Sequence, residues 1–183
     1  MAGLTIRLPD GSTKDLPEGS TASDLAAAVG PRLLRAAVAA SVGGEEVDLS
    51  TPLVDGDEVA IITVTTDEGR KVLRHSTAHV LAQAVLQLWP GAKFAIGPPI
   101  ENGFYYDFDL PGGAAFSEED LVRIEARMRE IVAEDQPFVR QEMTREEGLA
   151  VFSDQPYKVE IIEGVEPGEG ASPAAVSAYR NTA

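Results

Sequence analysis

The chain contains two histidines, and they lie four residues apart in His75-Ser76-Thr77-Ala78-His79. On a helix that spacing puts both imidazoles on one side, with about 5–6 Å between their Cβ atoms. Two chemistries use such a pair. The rings can be two ligands of one metal ion, or they can act as acid, base or hydrogen-bonding groups near pH 7, where imidazole is closest to balance. The metal reading needs a further ligand. The chain has no cysteine and no third histidine, and Ser76 stands where the zinc-protease pattern has Glu after its first His. A carboxylate could complete a set, but spacing marks none. The plain alternative is two partly exposed histidines on an amphipathic helix. The motif alone leaves all three readings open.

Other side chains offer weaker signals. Arg70, Lys71 and Arg74 form a local basic patch just before the histidines. It fits a phosphate contact or a solvated helix start equally well. Phe104, Tyr105 and Tyr106 could line a pocket or stack on a base, although strand aromatics are more often core. The bend at Gly97-Pro98 would expose backbone N–H groups able to hold a carbonyl or an oxyanion. Lys158 alternates with Tyr157 and Val159, which predicts a strand position facing away from the buried side. No Gly-Lys-Ser/Thr phosphate loop is present, and no histidine follows residue 79 to complete a serine triad on the C-terminal side.

The elements that must position these groups can be read from periodicity and turn chemistry. Leu4, Ile6 and Leu8 alternate as in a half-buried strand, and Pro9-Asp10-Gly11 predicts a hairpin turn. Thr21 and Asp24 have capping-box spacing before a helix that Gly30-Pro31 should stop. Ala36–Val42 reads as a strand closed by Gly43-Gly44, and Val59–Val64 as another. Hairpin, helix, then strands is the order of a β-grasp fold, expected over residues 1–65. Thr65–Gly69 looks like a junction. A long helix should run from Arg70 to Leu88, with Leu73, Thr77, Val80, Leu81, Ala84 and Leu88 on its core seam. The histidines would lie near the opposite side, beside Ala82 and Leu86. A strand over Phe94–Ile96 and an alternating strand over Phe104–Leu110 should follow, joined by a tight turn at Asn102-Gly103. Ser117/Asp120 opens a helix with Leu121, Ile124, Met128, Ile131 and Val132 inward and Arg123 and Arg127 outward. Phe138–Met143 reads as a strand. Thr144/Glu147 opens a short helix, and Tyr157–Ile162 alternates as a last strand. Glu163–Ala178, rich in Gly, Pro, Ala, Ser and Glu, reads as a loop or tail.

Composition sets the limits. Apolar residues make up 44% of the 183, enough for a core. The formal charge is −15, from 30 acidic and 15 basic side chains, which repels a phosphate backbone unless the cations cluster. No apolar run approaches the ~20 residues of a membrane span. The N-terminus lacks a signal-peptide layout. A cytoplasmic protein is expected.

Taken together, several stretches are specific. Arg74-His75-Ser76-Thr77-Ala78-His79, Leu88-Trp89-Pro90, Ala95-Ile96-Gly97-Pro98, Asn102-Gly103-Phe104-Tyr105-Tyr106-Asp107 and Tyr157-Lys158-Val159 stand in one order. In that order and spacing the chain resembles the N-terminal part of bacterial threonyl-tRNA synthetases. The resemblance implies an α+β chain: a β-grasp TGS domain at 1–65, then at 66–183 an editing domain of the threonyl/alanyl type, incomplete at its C-terminus. In that family the second domain hydrolyses serine wrongly attached to threonine tRNA, so the implied partner is the 3′ end of tRNA(Thr). By the same resemblance, His75 would lie near the terminal ribose. His79 would orient water or the ester, and Lys158 would activate water or stabilise negative charge. Tyr106, with the backbone at Gly97 and Pro98, would shape the pocket, and Arg74 belongs with the substrate contacts.

The resemblance implies no metal in this site. The related alanyl editing domains bind zinc through a similar histidine pair, however, so zinc at His75/His79 stays open as the lesser reading. ATP and a second zinc belong to the class II ligase core, which this sequence lacks. The family's pocket is completed by a later strand carrying Cys-x-x-x-His, also lacking here, so the chain alone is expected to deacylate Ser-tRNA poorly. A monomer is expected, since the family dimerises through the ligase core. Two other functions compete: a freestanding trans-editing deacylase, and a non-catalytic RNA-binding or regulatory module built on the TGS part.

Overall fold

In the computed structural model, residues 3–95, 97, 99–164 and 176–181 are described. The first strand, β1 (Gly3–Arg7), pairs antiparallel with β2 (Thr13–Pro17), with Leu4 opposite Leu16. Leu4 and Ile6 point inward and Ile6 is fully buried, as alternation predicts. Helix α1 (Ala22–Val29) starts at Thr21, whose hydroxyl accepts from the Asp24 amide while the Asp24 carboxylate accepts from the Thr21 amide. Strands β3 (Ala37–Val42), β4 (Glu45–Val47) and β5 (Val59–Thr63) form a sheet in the order β4-β3-β5. A parallel bridge between Arg7 and Glu58 joins the first hairpin to this sheet beside the start of β5. Leu4, Ile6, Leu16, Ala22, Leu25, Ala40, Leu53 and Val59 form the core between α1 and the strands. Each large apolar side chain so buried contributes about 1.5–3 kcal/mol.

One helix in this unit escapes the sequence reading. Gly30 ends α1, but Pro31–Ala36 forms a second short helix, α2. Pro31 takes the first helical position, where its missing N–H costs nothing, and the Gly30 carbonyl accepts from the amides of Leu33 and Leu34. The long helix α3 (Asp67–Leu88) begins three residues before its predicted start. Thr66 explains this: its hydroxyl accepts from the Gly69 amide at 3.0 Å, as an N-cap does. Gly69 is buried against β5, and a Cβ there would collide with the Thr63 carbonyl.

The chain divides into two units, residues 1–76 and 77–183, so the division falls inside α3. In the second unit the helix is covered on more than one side: Ala78, Val80, Ala82, Ala84 and Val85 are all buried. Leu73, assigned by periodicity to the same seam, is instead 49% exposed. Strand β6 (Lys93–Phe94) follows, then β7 (Pro99–Ile100), β8 (Gly103–Phe104) and β9 (Phe108–Asp109). They pair as β7-β8 across the predicted tight turn and as β6-β9. The continuous strand expected over Phe104–Leu110 is therefore two short strands, with Tyr105–Asp107 between them. The alternation survives, since Tyr105, Asp107 and Asp109 are exposed while Phe104, Tyr106 and Phe108 are partly buried.

Helix α4 (Glu118–Ala133) carries the predicted Ser117/Asp120 box. Ile124 and Ile131 are buried, whereas Leu121 and Val132, expected inward, are exposed. Arg123 is exposed, as expected, and Arg127 is partly covered. The Arg123 guanidinium lies 5.3 Å from the centre of the Trp89 ring. Arg127 Nε donates to Gln87 Oε1 at 2.7 Å, so both arginines tie α4 to the end of α3. Val80, Ala84, Val85, Ala92, Leu110, Ile124 and Ile131 form the core beneath them.

Tyr157–Ile162 is not a strand but part of helix α6 (Pro156–Gly164), after α5 (Arg145–Val151). The covered positions are Gln155, Lys158, Val159 and Ile162, which is the spacing of one helix face. Apolar alternation over six residues cannot separate the two periods, and Pro156 suits a helix start. The end of the supposed loop, Val176–Ala178, belongs to strand β11 (Val176–Asn181), which pairs antiparallel with β10 (Phe138–Met143). The rest of that loop reading, at 165–175, lies outside the described residues. Among the described residues no helix is long and apolar enough to cross a membrane.

Candidate functional site

Helix α3 carries His75 and His79 one turn apart. His75 is exposed, Arg74 half-buried and His79 half-buried. The Nε2 atom of His79 is withdrawn from solvent. Its ring lies 6.0 Å from that of Phe138 on β10 and 5.7 Å from that of Tyr179 on β11, tilted to both. The β10–β11 pair thus supplies an aromatic wall for this imidazole. That wall depends on Val176–Asn181 being a strand, which composition had concealed.

Lys158 is turned inward by α6, contrary to the strand reading. Its Nζ lies 5.0 Å from the centre of the Phe94 ring, close enough for a cation–π contact. The Phe94 ring stands 6.0 Å from that of Tyr106, which stacks on Phe108 at 5.0 Å. Gly97 closes against the same ring: a Cβ there would fall among the Cδ2, Cε2 and Cγ atoms of Tyr106. Three of the predicted residues, Gly97, Tyr106 and Lys158, are therefore gathered on one aromatic wall. Pro98 lies outside the described residues. Phe108 and Phe138 both pack on the α3–α4 core, so the Lys158 wall and the His79 wall border one buried cluster.

Burial sets the chemistry of this wall. It pushes the Lys158 amine below the ordinary lysine value, because the charged form loses water. It pushes the Tyr106 hydroxyl up to about 12 for the same reason. Lys158 is thus readier than a surface lysine to give up its proton, while Tyr106 stays neutral at any physiological pH. Among the described residues no group of three or more His, Cys, Asp or Glu side chains is placed to hold a metal ion.

Sequence reasoning passed over Gln155. It is buried although polar. Its Oε1 accepts from the Phe94 amide at 3.2 Å and its Nε2 donates to the Ala92 carbonyl at 3.4 Å. A glutamine before a proline carries no signal in sequence; only the contact with β6 reveals it. Phe94, Phe138 and Tyr179 likewise read as ordinary apolar positions until the fold aligns them.

The family model for the TGS domain matches residues 4–63. A threonine–tRNA ligase of Rubrobacter xylanophilus is 48% identical over 168 residues, which is 92% of this chain and 26% of that protein. One of Pelobacter propionicus is 50% identical over 164 residues, 88% of this chain and 26% of that protein. One of Bacillus velezensis is 40% identical over 171 residues, 92% of this chain and 26% of that protein. The chain therefore spans about a quarter of the length of the relatives it matches. With a TGS domain matched at residues 4–63 and this similarity over nine-tenths of its length, the chain is similar to a region that makes up about a quarter of these threonine–tRNA ligases.

Proposed function

We propose that this chain serves the proofreading of threonine–tRNA ligation, removing serine from mischarged tRNA(Thr) by ester hydrolysis, with attachment of threonine carried out elsewhere in the ligase. The need is physical. Serine lacks one methyl group of threonine, and discrimination on that scale is limited to about 1–3 kcal/mol, so a second, hydrolytic sieve is required. The observation that carries the reading is the partly buried Lys158 amine, held against Phe94 on the wall that also presents Tyr106 and Gly97.

In this reading the oxygen of a water attacks the seryl carbonyl carbon, and the bond from that carbon to the ribose oxygen breaks. Lys158 in its neutral form takes a proton from the water and returns it to the leaving ribose oxygen. His79 orients the water or the ester, and His75, one turn earlier, faces the terminal ribose. Tyr106 keeps its proton and limits the pocket, and the Gly97 backbone packed against its ring shapes the same wall. Arg74 and its basic neighbours contact phosphate.

The test replaces the matching quarter of a threonine–tRNA ligase with this chain and measures deacylation of Ser-tRNA(Thr) and Thr-tRNA(Thr). Lys158→Ala is expected to slow Ser-tRNA hydrolysis by about 10²-fold or more, the scale of one acid–base group, with threonine attachment intact. Serine hydrolysis unchanged in both Lys158→Ala and His79→Ala would end the proposal.

A further inference from the structure

We infer that Gln155 is the positioning residue for Lys158: its buried carboxamide locks the start of α6 onto β6, and this lock fixes the amine over the Phe94 ring. The inference rests on the proposed role of Lys158 and adds the group that sets its geometry. Gln155 is 7% exposed. With one side chain it satisfies a donor and an acceptor of the β6 segment more than sixty positions away in sequence, the Phe94 amide at 3.2 Å and the Ala92 carbonyl at 3.4 Å. A carboxamide can do this because it offers an acceptor and two donors in one plane. The Gln155 carbonyl in turn accepts from the amides of Lys158 at 2.9 Å and Val159 at 3.1 Å. The residue thus grips Phe94 through its side chain and the first turn of α6 through its main chain. Those are the two bodies whose separation sets the amine-to-ring distance of 5.0 Å.

Lys93, beside Phe94, adds a second clamp from its Nζ to the Asp154 carbonyl at 2.5 Å. That contact is exposed and reaches only the chain before the helix. Gln155 alone among these residues is both buried and bonded to each side. Without its side chain, the Phe94 amide and the Ala92 carbonyl would lose their buried partner. The segment would then separate enough for water to satisfy them, and the same water would hydrate the Lys158 amine.

The chain has four lysines, at positions 14, 71, 93 and 158, so each side-chain amine can be followed by ¹³C NMR as pH is varied. In Gln155→Met, which keeps length and loses both hydrogen bonds, the Lys158 signal is expected to titrate nearer the ordinary lysine value than in the parent chain. Gln155→Asn, too short to span both partners, should move it in the same direction with less loss of stability, keeping the test open if the first variant fails to fold. Ile162→Val, which weakens the buried face of α6 elsewhere, should lower stability and leave the Lys158 titration in place. A Lys158 titration unaltered in both Gln155 variants, or moved equally by Ile162→Val, would overturn the inference. The proposed proofreading role fails separately, on Lys158→Ala in the deacylation assay.

Discussion

Gly69 sets two physical rules against each other. It occupies the first turn of α3, and replacing a helical glycine with alanine ordinarily stabilises by about 0.8–1 kcal/mol. Its surroundings predict the opposite. A Cβ at Gly69 would meet the carbonyl oxygen of Thr63, with the carbonyl carbon at 2.6 Å and the Val64 nitrogen at 3.2 Å. These are main-chain atoms at the end of β5 and cannot rotate away as a side chain would. Restoring ordinary contact requires α3 and β5 to separate by roughly 1 Å, and overpacking of this kind costs about 1–3 kcal/mol. Separation would also strain the Gly69–Thr66 cap at 3.0 Å and the contact from Arg70 Nη1 to the Thr65 carbonyl at 2.7 Å. The net expectation for Gly69→Ala is a loss of about 1–2 kcal/mol, or roughly 5–15 °C in the melting of a unit of this size. Thermal unfolding by circular dichroism supplies the number, and amide exchange of the β3 and β5 strands locates it in the first unit. A variant as stable as the parent, or more so, would show that α3 does not approach β5 this closely and would refute the reasoning.

Two further outcomes test the second unit. Gly97→Ala should displace the Tyr106 ring, since the added carbon falls among its atoms; the expected loss is about 1–3 kcal/mol, seen by denaturant unfolding, with unchanged stability as the contrary result. Tyr106 should ionise late in an ultraviolet titration of the four tyrosines, near 12 rather than the ordinary 10.0. Its sign follows from linkage: between those values the folded chain holds a proton the unfolded chain has lost, so stability is unaffected below pH 10 and falls as pH rises through about 12. The ceiling is about 2–3 kcal/mol, reduced because the hydroxyl is partly solvated. Tyr106→Phe should remove the late component, and Gly97→Ala should bring it earlier.

The sequence determined what is local. Thr21/Asp24, Ser117/Asp120 and Thr144/Glu147 each form the reciprocal capping box their spacing predicts, because both halves of such a box lie within one turn. Alternation placed β1 correctly, and the His-x-x-x-His motif placed both imidazoles on one helix, since a single helix obeys a single period. Tertiary structure decided whatever depended on a distant partner. The helix over Tyr157–Ile162 is docked by Gln155 on Ala92 and Phe94, a pairing that no window of a few residues contains. Val176–Ala178 became strand because Phe138–Met143 offered an edge to pair with, although its composition favours a loop. Arg123 stays exposed and Arg127 is partly covered, but the partners they meet there, Trp89 and Gln87, are set by the fold. The residue types needed for chemistry are written in the chain. Their surroundings, and with them the depressed Lys158 amine, come from contacts between segments sixty residues apart, because water is excluded only once those segments meet.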